Sequence, residues 1–252
     1  PTMLRAAAKN HGRVTVITEP EDYEAIIKEI DDNNQTCIDT RRKLAIKVFQ
    51  KISEYDSMIH HYLMSHENTE ELTLPSKINI TLEKINDLRY GENPHQSASL
   101  YNIKYPKTEG FNFTQLAGKG LSYNNLVDTE SAFSCVQQFK DPSCVIVKHA
   151  NPCGVAECAN LMAAYDNAYA TDPISAFGGI IAFNKNVDEK ILKKIINQQF
   201  VEVIVAPNYS KKCLEVIKSK PNIRLLKAEK SNKDTVRLEF KSLQSKFLIQ
   251  ES

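Results

Sequence analysis

An excess of charge of one sign is the first thing this sequence lacks. Lys and Arg total 32 against 31 Asp and Glu, a net charge of +1. Such balance gives no reason to expect nucleic acid or an anionic membrane as the main partner. A small anionic substrate stays compatible, because a local cationic pocket barely moves the total. No apolar run approaches the roughly 18 residues that a bilayer-spanning helix needs, and the N-terminus lacks the charged-then-apolar layout of a signal peptide. The six cysteines are scattered, and Cys144 sits inside an apolar run. They do not form a disulfide framework, so a reducing, cytoplasmic setting is expected. Internal repeats and low-complexity tracts are absent as well. What remains is a chain of 252 residues, 42% hydrophobic, long enough to bury one large core or two smaller ones.

Both ends look cut. The chain opens Pro1-Thr2-Met3 and runs straight into Leu4-Arg5-Ala6-Ala7-Ala8-Lys9, a helix-forming stretch with no start signal before it. The far end stops just after the apolar residues Phe247-Leu248-Ile249. The expectation is an internal fragment of a longer protein; a naturally short chain with frayed termini is the alternative.

Residues 4–10 predict a helix, and the β-branched Val14-Thr15-Val16-Ile17 predicts a short buried strand. Pro20, followed by Glu21 and Asp22, suits the first turn of a helix reaching about Asp31. A second helix is expected from Asp39 to Met64, with Leu44, Val48, Ile52, Tyr55, Ile59 and Leu63 as one apolar stripe. The polar stretch His66–Lys77 is the candidate linker. Beyond it, strand and helix patterns alternate. Strands are expected at Cys144–Val147, Gly179–Phe183, Val201–Val205 and Arg224–Leu226, and helices at Asn160–Ala170, Val187–Gln199 and Leu214–Lys218. That alternation predicts an α/β sheet with helices packed on it.

Three segments carry candidate chemistry. In Val147-Lys148-His149-Ala150-Asn151-Pro152-Cys153-Gly154, a buried strand delivers Lys148 and His149 to its C-terminal end, and the chain is expected to turn through Asn151-Pro152 and Gly154. Ligand sites of open α/β sheets gather at that end of the strands. An ammonium and an imidazole placed together offer a charge stabiliser and a proton acceptor; a strand ending in two solvated polar residues is the plainer reading. Leu88-Arg89-Tyr90-Gly91-Glu92-Asn93-Pro94-His95-Gln96 combines a guanidinium able to grip phosphate or carboxylate with a ring able to stack, or is simply an Asn-Pro surface turn. Thr171-Asp172-Pro173-Ile174-Ser175-Ala176-Phe177-Gly178-Gly179 sets paired glycines before a strand, where backbone can approach a ligand closely. It is not a dinucleotide fingerprint, and Gly118-Lys119-Gly120 is not a phosphate loop. His149 with Pro152-Cys153 and Cys158 is similar to the zinc-deaminase signature, but Asn151 stands where that chemistry needs glutamate and the cysteines are spaced too widely. No metal is expected.

Over nearly its whole length the chain resembles the family of bifunctional AICAR formyltransferase and IMP cyclohydrolase. The resemblance is carried by Arg5 through His11, Thr40-Arg41-Arg42-Lys43-Leu44-Ala45, Leu88 through Gln96, Leu121-Ser122-Tyr123-Asn124-Asn125, Lys148 through Gly154, Ala170 through Ile181 and Phe200 through Pro207. It implies de novo purine synthesis. A formyl group passes from 10-formyltetrahydrofolate to AICAR, giving FAICAR, and FAICAR then closes to IMP. It implies His149 as proton acceptor, Lys148 as transition-state stabiliser, and Arg89, Tyr90, His149, Gly178 and Glu202 as substrate-binding residues. Lys9 matches the proton donor and acceptor of the cyclohydrolase.

The implied fold is α/β. Residues 1–79 would be the C-terminal portion of a methylglyoxal-synthase-like cyclohydrolase domain with its linker. Residues 80–252 would be the first, cytidine-deaminase-like half of the transformylase domain. A homodimer is implied for the full-length protein, with the folate contacts outside this chain. Two readings compete: a non-catalytic nucleotide-binding or assembly remnant and, more distantly, a zinc deaminase.

Overall fold

The computed structural model describes residues 1–67, 74, 76–105, 111–229 and 238–251. Contacts group the chain into two units, Pro1–Leu82 with Ile103–Lys107, and Glu83–Asn102 with Thr108–Ser252. Most of the expected linker His66–Lys77 lies outside the described residues.

The first unit is helical. Helix α1 (Thr2–Lys9) is followed by a 3-10 turn at Pro20–Asp22, α2 (Tyr23–Asn33) and the 30-residue α3 (Ile38–Glu67). Ala8 of α1 and Val16 pack against Ala45, Val48 and Ile52 of α3. The α3 stripe is therefore buried only along its first half. Ile59 and Leu63 are exposed, because α1, about 12 Å long at 1.5 Å per residue, covers no more than that length. Residues 14–17 form no strand, contrary to the expectation; Val16 alone of them is buried. Arg41 explains its motif structurally: its guanidinium donates to the carbonyls of His11 (2.9 Å), Gly12 (3.1 Å) and Thr36, tying the chain after α1 to α3.

The second unit is a three-layer α/β/α arrangement. Its elements are β3 (Phe113–Ala117), α4 (Tyr123–Val136), β4 (Ser143–Lys148), β5 (Asn151–Glu157), α5 (Leu161–Thr171), α6 (Pro173–Ala176), β6 (Gly179–Phe183), α7 (Glu189–Gln198), β7 (Val201–Ala206), α8 (Lys211–Ile217) and β8 (Arg224–Ala228). Two further pairs, β1 (Thr81–Asp87) with β2 (Ser99–Tyr105) and β9 (Leu238–Leu243) with β10 (Lys246–Glu251), form separate two-stranded sheets. The central sheet has the order β3-β8-β7-β6-β4-β5. Strands β6, β7 and β8 run parallel, while β4 runs antiparallel to both of its neighbours and β3 is antiparallel to β8.

The period-2 alternation of a strand sorts side chains onto the two faces. Cys144, Ile146, Ile181, Ile204 and Leu225 meet the apolar faces of α5, α7 and α8. Val145, Val147, Ile180, Ala182, Val203, Val205 and Leu226 meet Ala132, Phe133 and Val136 of α4. Both sheet faces are covered, so the inner strands read as unbroken apolar runs.

Candidate functional site

The two residues after β4 do not lead into a later turn; they are the turn. Lys148 pairs with Asn151 across the β4–β5 hairpin, leaving His149 and Ala150 as its two-residue loop. Both have positive φ, 54° and 58°, as a type I′ hairpin requires. Asn151-Pro152 and Gly154, expected as the turn, lie in β5.

The orientation of β4 corrects a second expectation. Because β4 is antiparallel to β6, its C-terminal end lies at the start of β6, where Val147 pairs with Ile180, and Gly179 in turn pairs with Val201 at the start of β7. Lys148, Gly178 and Glu202 thus share one edge of the sheet, the N-terminal edge of the parallel strands rather than the C-terminal edge at which such sites usually gather.

Lys148 is half-buried, and its ammonium donates to the Phe177 carbonyl at 2.8 Å. Gly178, the next residue, has φ +73° and donates its N–H to the Phe200 carbonyl at 2.8 Å. Gly179 is glycine for a different reason than close approach to a ligand. A Cβ there would lie 2.9 Å from the Val147 carbonyl oxygen, so the backbone of β4 leaves it no room.

Glu202 occupies a β-bulge. Gly179 pairs with Val201 and Ile180 with Val203, so Glu202 is the extra residue in β7. In a regular strand it would follow Ile204 and Ala206 onto the face covered by α5, α7 and α8. The bulge turns it to the α4 face instead, re-aiming one side chain as bulges do. There its carboxylate accepts from Asn125 Nδ2 at 2.9 Å and lies 3.9 Å from the Arg224 guanidinium. Arg224 is 6% exposed and also donates to the Gly120 carbonyl at 3.3 Å. Burial lowers its proton affinity; Glu202 opposes that effect and nearby Arg89 adds to it.

The Arg89-Tyr90 segment meets this group through the backbone before α4. Arg89 N–H donates to the Leu121 carbonyl at 3.2 Å, and Tyr123 N–H donates to the Tyr90 carbonyl at 3.2 Å. The Arg89 guanidinium carbon sits 5.4 Å from the centre of the Tyr90 ring, within cation–π range. The Arg89 stem passes over Gly120, so two guanidinium-bearing chains converge at that residue.

Helix α4 is what the sequence reading missed. Ser122 and Asn125 cap it reciprocally. Asn125 reaches Glu202, and Asp128, one turn later on the same face, accepts from the backbone N–H groups of His149 and Ala150. The Leu121–Asn125 run gave a cue in its Ser-x-x-Asn cap. Arg224 gave only a charge opening a short apolar strand. Lys9 ends α1 in the first unit and is exposed, a basic residue suited to a helix C-terminus.

The family model of the AICARFT/IMPCHase bienzyme matches residues 7–252. The chain belongs to this family. AICARFT/IMPCHase proteins are the bifunctional formyltransferase and cyclohydrolase of purine biosynthesis. In this family member, among the described residues, no three His, Cys, Asp or Glu side chains gather as a metal site, and no helix is long and apolar enough to cross a membrane. The two cysteines of the deaminase-like pattern have separate partners. Cys153 approaches the Ile146 carbonyl at 3.5 Å, while Cys158 accepts from Asn167 Nδ2 at 3.3 Å.

Proposed function

We propose that the second unit carries part of a formyltransferase site in which Lys148 and His149 perform the chemistry on AICAR, with 10-formyltetrahydrofolate as donor. The observation that supports this most directly is the shared sheet edge: the ammonium of Lys148 beside Phe177-Gly178, with the His149 turn and the bulge-aimed Glu202 both tied to α4.

The substrate amine is a poor nucleophile because its lone pair is delocalised into the imidazole and carboxamide. As the amine attacks the formyl carbon, His149 takes the amine proton and Lys148 stabilises the oxyanion. Collapse breaks the bond to the folate N10, which takes up a proton and leaves as tetrahydrofolate. Arg89 holds the anionic nucleotide, with Tyr90, Gly178 and Glu202 completing its contacts. Lys9 serves the cyclohydrolase, in which the carboxamide nitrogen attacks the new formyl group and water is lost to give IMP. On this reading residues 1–79 belong to a methylglyoxal-synthase-like domain and 80–252 to a cytidine-deaminase-like half-domain. The protein works as a cytoplasmic homodimer and needs no metal.

The test is an assay of formyl transfer from 10-formyltetrahydrofolate to AICAR. His149→Ala should abolish turnover, and Lys148→Met should lower kcat far more than it raises KM. Normal transfer by His149→Ala would overturn the mechanism. Nucleotide binding without transfer, in the same protein with intact residues, would favour a non-catalytic binding role.

A further inference from the structure

We infer that Asp128 is a positioning residue, whose carboxylate clamps the His149–Ala150 turn and so fixes the direction of the His149 imidazole. The inference rests on the proposed role of His149. The turn needs the left-handed region at two consecutive residues, a conformation for which Asn-Gly is the usual solution. Here the chain uses His-Ala. Each non-glycine residue held at positive φ costs about 1–2 kcal/mol, so the turn as built is biased towards other geometries, and something outside it must hold it.

Asp128 supplies that hold. Its Oδ1 accepts from Ala150 N–H at 2.8 Å and its Oδ2 from His149 N–H at 3.3 Å. One carboxylate thus engages the two amides of the two strained residues. A carboxylate accepting amide hydrogens makes the stronger, charge-assisted kind of bond. From the other side, Asn151 Nδ2 donates to the His149 carbonyl at 2.7 Å. The clamp is mounted on α4, whose Asn125 holds Glu202 one helical turn earlier. The same rigid element therefore sets the turn bearing the imidazole and the carboxylate on β7. If the turn relaxes to negative φ, the Cα–Cβ bond of His149 changes direction and carries the imidazole with it, while the strand core stays in place.

Four proteins test this: Asp128→Ala, Asp128→Asn, Ala150→Gly, and Asp128→Ala combined with Ala150→Gly, each assayed well below its own melting temperature. A misplaced general base costs on the order of 100-fold in rate, so Asp128→Ala should lower kcat roughly 10- to 100-fold with KM little changed. Asp128→Asn keeps one acceptor oxygen and should fall between. Glycine takes positive φ without penalty, so Ala150→Gly should restore much of the lost kcat in the Asp128→Ala background. Amide hydrogen exchange at residues 149 and 150 should quicken in Asp128→Ala, a readout independent of turnover. Unchanged kcat in Asp128→Ala, while His149→Ala is inactive, would overturn the positioning role and leave the proposed function standing. Full activity of His149→Ala would instead remove the proposed function. A loss in Asp128→Ala that Ala150→Gly does not relieve would also overturn the inference, since it would mean Asp128 acts on substrate directly.

Discussion

The Asn125 carboxamide donates to the Glu202 carboxylate at 2.9 Å across 77 positions of sequence. That bond joins the first turn of α4 to the bulge of β7. Asn125 also completes the α4 cap, accepting from Ser122 N–H at 3.2 Å while its own N–H donates to Ser122 Oγ at 3.3 Å. One side chain therefore stabilises a helix and orients a carboxylate.

Replacing Asn125 by Ala should remove both roles. The expected loss of stability is about 1–2 kcal/mol, from one cap and one charge-assisted bond. Ser122→Ala removes only the cap and should cost about 1 kcal/mol. Urea unfolding gives the stabilities. Calorimetry with AICAR separates the two, because Asn125→Ala should weaken nucleotide binding more than Ser122→Ala does.

The two adjacent glycines should respond differently to alanine. At Gly178 a Cβ would meet the Phe200 ring at 3.6 Å, an ordinary contact, so the cost is the backbone strain of φ +73° alone, about 1–2 kcal/mol. Asparagine tolerates that region better and should cost less. At Gly179 the obstacle is backbone, with the Val147 and Ala176 carbonyl oxygens 2.9 and 3.1 Å from a Cβ. Gly179→Ala should therefore be the more destabilising in thermal melts, and asparagine should give no relief there.

Burial orders the thiols. It pushes Cys144 well above the ordinary thiol range and raises Cys135, Cys153 and Cys213 as well. Cys37 is exposed at the start of α3. Since the thiolate is the reactive form, mass spectrometry after brief iodoacetamide treatment near pH 8 should find Cys37 modified first. Cys144 should be modified only when the protein unfolds.

Acid should destabilise the fold through a small set of carboxylates. Hydrogen bonds from Ser175 hold Asp172 below the usual range, the bond from Cys37 N–H does the same for Glu29, and the Lys84 ammonium does so for Asp87. A group whose folded value is depressed contributes stability above its unfolded value and loses it as pH falls through the folded one. The melting temperature should therefore hold from neutrality to about pH 5 and decline below about pH 4, through the carboxylate range. Asp172→Asn should flatten that acid limb; an unchanged limb would assign it to other groups.

The apolar run Cys144–Val147 marked an inner strand by itself, because a strand covered on both faces needs apolar residues at every position, and Gly179–Phe183 and Val201–Val205 were legible as strands. The helical composition of α2, α3, α5 and α7 was equally local and equally legible. So were the residue types of the candidate site: an ammonium beside an imidazole, an Arg-Tyr pair, two glycines and an acid.

Their arrangement was not local. Sequence marks β4 as a strand but not its direction, and its antiparallel course moved the shared edge to the opposite end of the parallel strands. A hairpin through His149-Ala150 is hidden, because neither residue favours positive φ and the carboxylate that holds the turn comes from α4. The face chosen by Glu202 depends on one extra residue in the pairing of β7 with β6, and register exists only between strands. Residue types and periodicities belong to one segment and can be read there. Direction, register and strain belong to pairs of segments, and only the packed chain decides them.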